Sequence, residues 1–133
     1  MKSTQTVLLD TNVILRFFRE DQPQHVGHVR KLFQEAEKGM ISCYIDPVVL
    51  AEVIWTLTSF YKVNRSEITT KLEMLLAQQW TVNEHKQTFF SALHQYQETS
   101  LDYIDCWLLA VSQEHNIPIE TFDKKLKVRS LHI

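Results

Sequence analysis

Four carboxylates carry the chemistry this chain could do: Asp10, Glu52, Asp105 and Asp123. Asp10 ends the short apolar run Thr6-Val7-Leu8-Leu9. Asp123 follows a second extended segment, Ile117 to Thr121. Glu52 interrupts the apolar stretch VVLAEVIWTLTSFY (48–61), and Asp105 stands near the start of SLDYIDCWLLAVSQEHN (100–116). In an open α/β sheet, strands end and helices begin at the same edge, where ligands bind. Four acids meeting there would repel one another strongly unless cations were present. Oxygen-only ligation selects Mg²⁺ or Mn²⁺. Such ions activate water and stabilise a phosphoryl transition state, so the pattern points to metal-dependent phosphodiester hydrolysis.

Each acid also has a plainer reading. Asp10 could serve only as a helix N-cap. Glu52 could belong to a structural ion pair, because an unpaired carboxylate in a buried helix costs several kcal/mol, roughly. Asp102, three residues before Asp105, is the natural N-cap of its helix. Asp105 then falls one turn in, about 100° from Ile104 and at the rim of an apolar stripe. There the helix dipole alone would favour an acid.

The elements that must position these residues alternate between strand and helix. The Thr6–Leu9 run predicts a buried strand, and the apolar residues from Val13 to Phe18 a helix. A polar connection, DQPQH (21–25), precedes a helix on Val26, Val29, Leu32, Phe33 and Ala36, with Gly39 as its stop. Residues 41–45 predict a second strand. Asp46-Pro47 is a strong helix start, and the apolar helix that follows is expected to be buried on most sides. Ser66 and Asn83 are candidate caps for two further helices, with a brief strand at Trp80–Val82 between them. The helix of 100–116 is expected to bury Ile104, Trp107, Leu108, Val111 and His115, and to end at Asn116. The extended segment 117–121 and a last edge strand through Val128 and Ile133 complete the reading. Strands alternating with helices imply a parallel sheet covered on both faces.

Composition narrows the function. The 133 residues, 44% apolar and 23% charged, fit one soluble domain spanning 1–133. No apolar run approaches the ~18 residues of a membrane span, and MKSTQTVLLD is no signal peptide, so a cytoplasmic protein is expected. Cys43 and Cys106 read as separate buried thiols. A net charge of −2 argues against general coating of nucleic acid. With two distant glycines, Gly27 and Gly39, the chain cannot build a dinucleotide fingerprint, a Walker A loop or a nucleophile elbow.

Taken together, LLDTNVILR, PVVLAEVIWTL, LDYIDCWLLAVS and TFDKKL resemble the PIN domain ribonucleases, most closely the VapC-type toxins of bacterial toxin–antitoxin pairs. The resemblance runs through essentially the whole chain. It implies a three-layer α/β/α fold with a central parallel sheet and an acidic pocket for Mg²⁺ or Mn²⁺. It matches Asp10, Glu52 and Asp105 to the family's three most constant acids and Asp123 to the fourth. Asn12 matches the polar residue after the first acid, Thr121 the hydroxyl residue before the last, and Asp102 a less constant acidic position. It further implies an RNA substrate, a small antitoxin whose tail covers the pocket, and a homodimer or a toxin–antitoxin hetero-oligomer.

Arg16 and Arg19, and Lys124, Lys125, Lys127 and Arg129 after the last acid, are either a solvated face or a basic rim that steers RNA phosphates inward. His25 and His28 are expected to face solvent. Trp55, Trp107, Phe89 and Phe90 read as packing. An aspartate-nucleophile phosphohydrolase would need a second acid where Asn12 stands. A DNA nuclease, or a partner-binding module with an inactive acidic site, are the other readings these residues allow.

Overall fold

The computed structural model describes residues 5–19 and 23–131. Three parallel strands, β1 (Gln5–Leu8), β2 (Ile41–Tyr44) and β3 (Thr81–Val82), lie in the order β1-β2-β3. Around them the chain places α1 (Thr11–Phe18), α2 (Pro23–Glu37), α3 (Pro47–Ser59), α4 (Arg65–Leu76), α5 (Lys86–Glu98), α6 (Tyr103–His115) and α7 (Lys124–Ser130). This is the expected three-layer α/β/α arrangement.

Local chemistry explains most of the boundaries. The Asp46 carboxylate accepts from the Val48 amide at 2.8 Å, and Pro47 occupies the first turn. Gly39, at φ 78°, and Asn116, at φ 54°, adopt left-handed backbone just past α2 and α6, as residues that end helices do. In β2, Ile41 and Cys43 are buried and Ser42 and Tyr44 half-buried, the alternation of a strand with two unequal faces. The core joins Ile14, Cys43, Ile45, Leu50, Ile54, Leu57, Leu72, Phe89, Leu93 and Leu109, all essentially inaccessible.

Several expectations change. β1 is an edge strand, not a buried one: Leu8 is 70% exposed, and Leu9, just past the strand, enters the core instead. The α3 helix buries one face, through Leu50, Val53, Ile54 and Leu57, and turns Val48, Glu52 and Trp55 outward. Trp55 is therefore not core packing. The buried face of α6 is Tyr103, Cys106, Leu109 and Ala110, while Ile104 and Leu108 are exposed. Asn64, not Ser66, caps α4 by accepting from the Glu67 amide. Asn83 accepts from the His85 amide and donates to the Ile45 carbonyl, tying down the turn before α5 instead of capping it. Residues 117–121 carry no strand, and Lys124–Ser130 is helical where an edge strand was expected. Ile133, and residues 21 and 22 of the predicted polar connection, lie outside the described residues. No helix among those described is long and apolar enough to cross a membrane.

Candidate active site

Asp10 follows β1 directly and caps α1, accepting from the Thr11 amide at 2.7 Å. Its carboxylate is exposed, as is Asn12 two residues on. The α3 helix packs against both α1 and α6, so the elements that carry Asp10, Glu52 and Asp105 are neighbours. Glu52 itself is exposed on α3. Burial therefore does not oblige Glu52 to find a counter-charge, and any cation it meets is met at the surface.

The acids that come together electrostatically are those around the start of α6. Asp102 holds the N-cap position of α6 but makes no side-chain cap bond, so its carboxylate remains available. Asp105, half-buried in the first turn, has its carboxyl pushed above the ordinary range. Desolvation is the main cause, followed by the negative charges of Asp123 and Asp102. Asp123 caps α7 by accepting from the Leu126 amide at 2.9 Å. The Thr121 hydroxyl accepts from the Asp123 amide at 3.0 Å, which fixes the turn that presents this acid. The structure thus groups Asp102, Asp105 and Asp123.

An all-oxygen group under mutual repulsion is the donor chemistry that Mg²⁺ or Mn²⁺ takes, and the raised Asp105 is what a nearby cation would reverse. Among the described residues, no three Asp, Glu, His or Cys side chains are placed to hold one ion together. The match is therefore one of donor type and charge, and no coordination geometry follows from it.

The basic candidates divide. Lys124 and Lys125 are exposed in the first turn of α7, immediately after Asp123, as a rim requires. Arg16 is 8% exposed and lines a recess of about 340 Å³ with Asn12, Val13, His25, His28 and Val29. An aliphatic stem on the inner side of α1 draws it into the core margin, so it is not part of an open rim. His25 and His28 are exposed, as expected, and Cys43 and Cys106 are buried thiols, both pushed up to about 11 mainly by burial.

Two features have no counterpart in the sequence reading. The strand register pairs Leu8 with Tyr44 and Tyr44 with Val82. The residues two places beyond these are Asp10, Asp46 and Glu84, an acid at the same offset past every strand. Glu84 accepts a hydrogen bond from the Tyr44 hydroxyl at 3.0 Å. Only the register reveals that row. The second feature is Arg65, which lines a cavity of about 300 Å³ with Trp55, Asp102, Tyr103 and Asp105. Its partners lie 31 to 36 residues away in the chain, beyond any local pattern.

The family model described as the PIN domain matches residues 7–130, a span that contains every acid named above. No curated protein and no solved structure matches the chain.

Proposed function

Because the chain belongs to the PIN domain family, whose members are in general metal-dependent nucleases, we propose that it is an Mg²⁺- or Mn²⁺-dependent endoribonuclease and the toxin of a toxin–antitoxin pair. The observation that carries the reading is the group at the start of α6, where Asp105 is raised by desolvation and by Asp123 and Asp102. Asp102 and Asp105 also line one recess of about 300 Å³, so the acids present a shared surface that a cation from solvent can reach. When bound, the ion supplies counter-charge for RNA and a polarised water.

The chain's own residues divide the remaining work. Asp10 and Asp105 are the direct ligands in this reading, with Glu52 and Asp123 completing the shell. Asp102 adds negative charge beside them. Thr121 orients Asp123, and Asn12 offers an amide next to Asp10. Lys124 and Lys125, exposed beside Asp123, contact RNA phosphates, whose many charges make such lysines effective at low salt. Single-stranded RNA is the substrate in this reading, because a flexible strand can bend one phosphodiester into a recess that a stiff duplex cannot enter. The exposed Val48, Trp55 and Ile104 flank the acids and supply apolar surface for an antitoxin or a second copy of the chain.

The test is digestion of matched RNA and DNA strands by purified protein with Mn²⁺, with and without excess chelator. RNA fragments with 5′-phosphate and 3′-hydroxyl ends are expected, since among the described residues no histidine pair is grouped with these acids to drive attack by the 2′-hydroxyl. Cyclic phosphate ends, or cleavage that persists in chelator, would overturn the mechanism. Cleavage of DNA alone would move the protein to the DNA nucleases, and cleavage of neither strand would favour a partner-binding module.

A further inference from the structure

The carbonyls between α5 and α6 converge on one side chain. At the end of a helix the last carbonyls have no partner within the helix. Arg65 Nη1 donates to the carbonyl of Tyr96, in the last turn of α5, at 2.8 Å, and to that of Leu101 at 2.6 Å. Longer contacts of 3.3 Å reach the carbonyls of Thr99, from Nη1, and Ser100, from Nη2. One guanidinium therefore gathers the whole connection that delivers the chain to Asp102. Arg65 is held in turn from its other sides. It is the first residue of α4, behind the Asn64 cap, and its guanidinium lies 4.0 Å over the Tyr96 ring. The Tyr96 hydroxyl is bonded to Thr58 of α3 at 2.7 Å.

The residue after Leu101 is Asp102, whose carbonyl accepts from the Cys106 amide at 3.1 Å and so opens α6. Asp105 is three residues further on, and Asp102, Asp105 and Arg65 line the same cavity. We propose that Arg65 is a positioning residue for the acidic site: by clasping carbonyls 96 and 99–101 it sets the origin of α6 and hence where Asp102 and Asp105 stand. This rests on the nuclease reading above. The hydrogen bonds of Arg65 among the described residues go to main-chain carbonyls, so it acts through the loop and not on RNA. Lysine cannot replace it, because an ammonium keeps the charge but lacks the planar fork that reaches several carbonyls at once.

The experiment compares wild type with Arg65→Lys, using amide hydrogen exchange without and with Mn²⁺, and steady-state RNA cleavage over a range of salt. In Arg65→Lys, faster exchange confined to Thr99–Cys106 is expected, with β2 unchanged. Mn²⁺ should slow exchange there in wild type and much less in the variant. The kcat should fall by about tenfold or more, the cost of a small misplacement, while KM and the salt slope stay as they were. A raised KM with a salt slope reduced by about one would mean that Arg65 touches phosphate, and would overturn the proposal. Normal kcat despite faster exchange would reduce Arg65 to a fold residue, and lost kcat with unchanged exchange would show that it does not act through the loop; either result overturns the proposal. If wild type cleaves no nucleic acid, the nuclease reading has failed, and the Mn²⁺ effect on exchange alone decides: equal protection in both proteins overturns the clasp's role. If Arg65→Lys does not fold, Arg65→Gln is tested in its place, and failure of both also overturns it.

Discussion

Asp46 and Asp102 occupy the same position, the residue that begins a helix, and behave differently there. Asp46 accepts from the Val48 amide and is followed by proline, a compact start to α3. Asp102 makes no cap bond, and its charge adds to that of Asp123 in raising Asp105. One carboxylate is used to satisfy the backbone. The other is left over, at a helix start whose geometry is fixed from outside by Arg65. Unused negative charge maintained against its own repulsion is what separates a ligand-seeking acid from a structural one. Asp10 and Asp123 stand between the two: each caps a helix through one oxygen and can still offer the other.

The strongest attack on that contrast is Asp105→Asn. Cleavage of RNA with Mn²⁺ should fall at least about a hundredfold, the scale on which loss of a positioned catalytic group is felt. Its thermal midpoint should stay level or rise, because a repelled carboxylate has been removed. A large loss of stability would place Asp105 with Asp46, among the structural acids. The complementary change, Asp46→Ala, should cost about 1 kcal/mol of stability through the lost cap. Turnover per folded molecule should be unaffected, which denaturant unfolding together with active-site titration would check. The smallest effect is in pH. Asp105 has a raised carboxyl in the folded state, so the fold binds its proton more tightly than the unfolded chain does. Its ionisation therefore opposes folding: no penalty exists below the ordinary value of 3.8, and the penalty is complete above the raised one. The midpoint of Asp105→Asn relative to wild type should climb across that window, and Mn²⁺ should narrow the gap at neutral pH. A flat difference from acid to neutral pH would contradict the raised carboxyl.

Turn and cap chemistry was legible from sequence because it is local. Asp46-Pro47, Gly39 and Asn116 each act on the main chain within a few residues of themselves, and each marks a boundary where it was read. The alternation of extended and helical segments places Asp105 at the start of α6 and Asp123 at the start of the next turn, where an electrostatic link between them is seen. The free carboxylate of Asp102, read as a cap, shows only in the missing cap bond. Faces were harder to assign. In α3 and α6 apolar residues occur on every side, so periodicity selects no orientation, and Glu52, Trp55, Ile104 and Leu108 were turned the wrong way. Segment 117–121 has strand-like residues, yet pairing depends on a distant neighbour and not on its own pattern. Seven residues were too few to distinguish the α7 helix from an edge strand. Arg65 has no local signal in the sequence, because its role exists only once α4 and the end of α5 are side by side.

The two ends of the sheet differ in how they finish. β3 is only two residues long, which leaves little for another strand to grip. β1 is twice that length, borders no further strand among the described residues, and exposes Leu8. On its outer side no described strand pairs with it, so a ladder could be extended there by an extended segment that comes alongside. If the protein associates at high concentration, a charged residue in place of the exposed Leu8 is the change expected to oppose it.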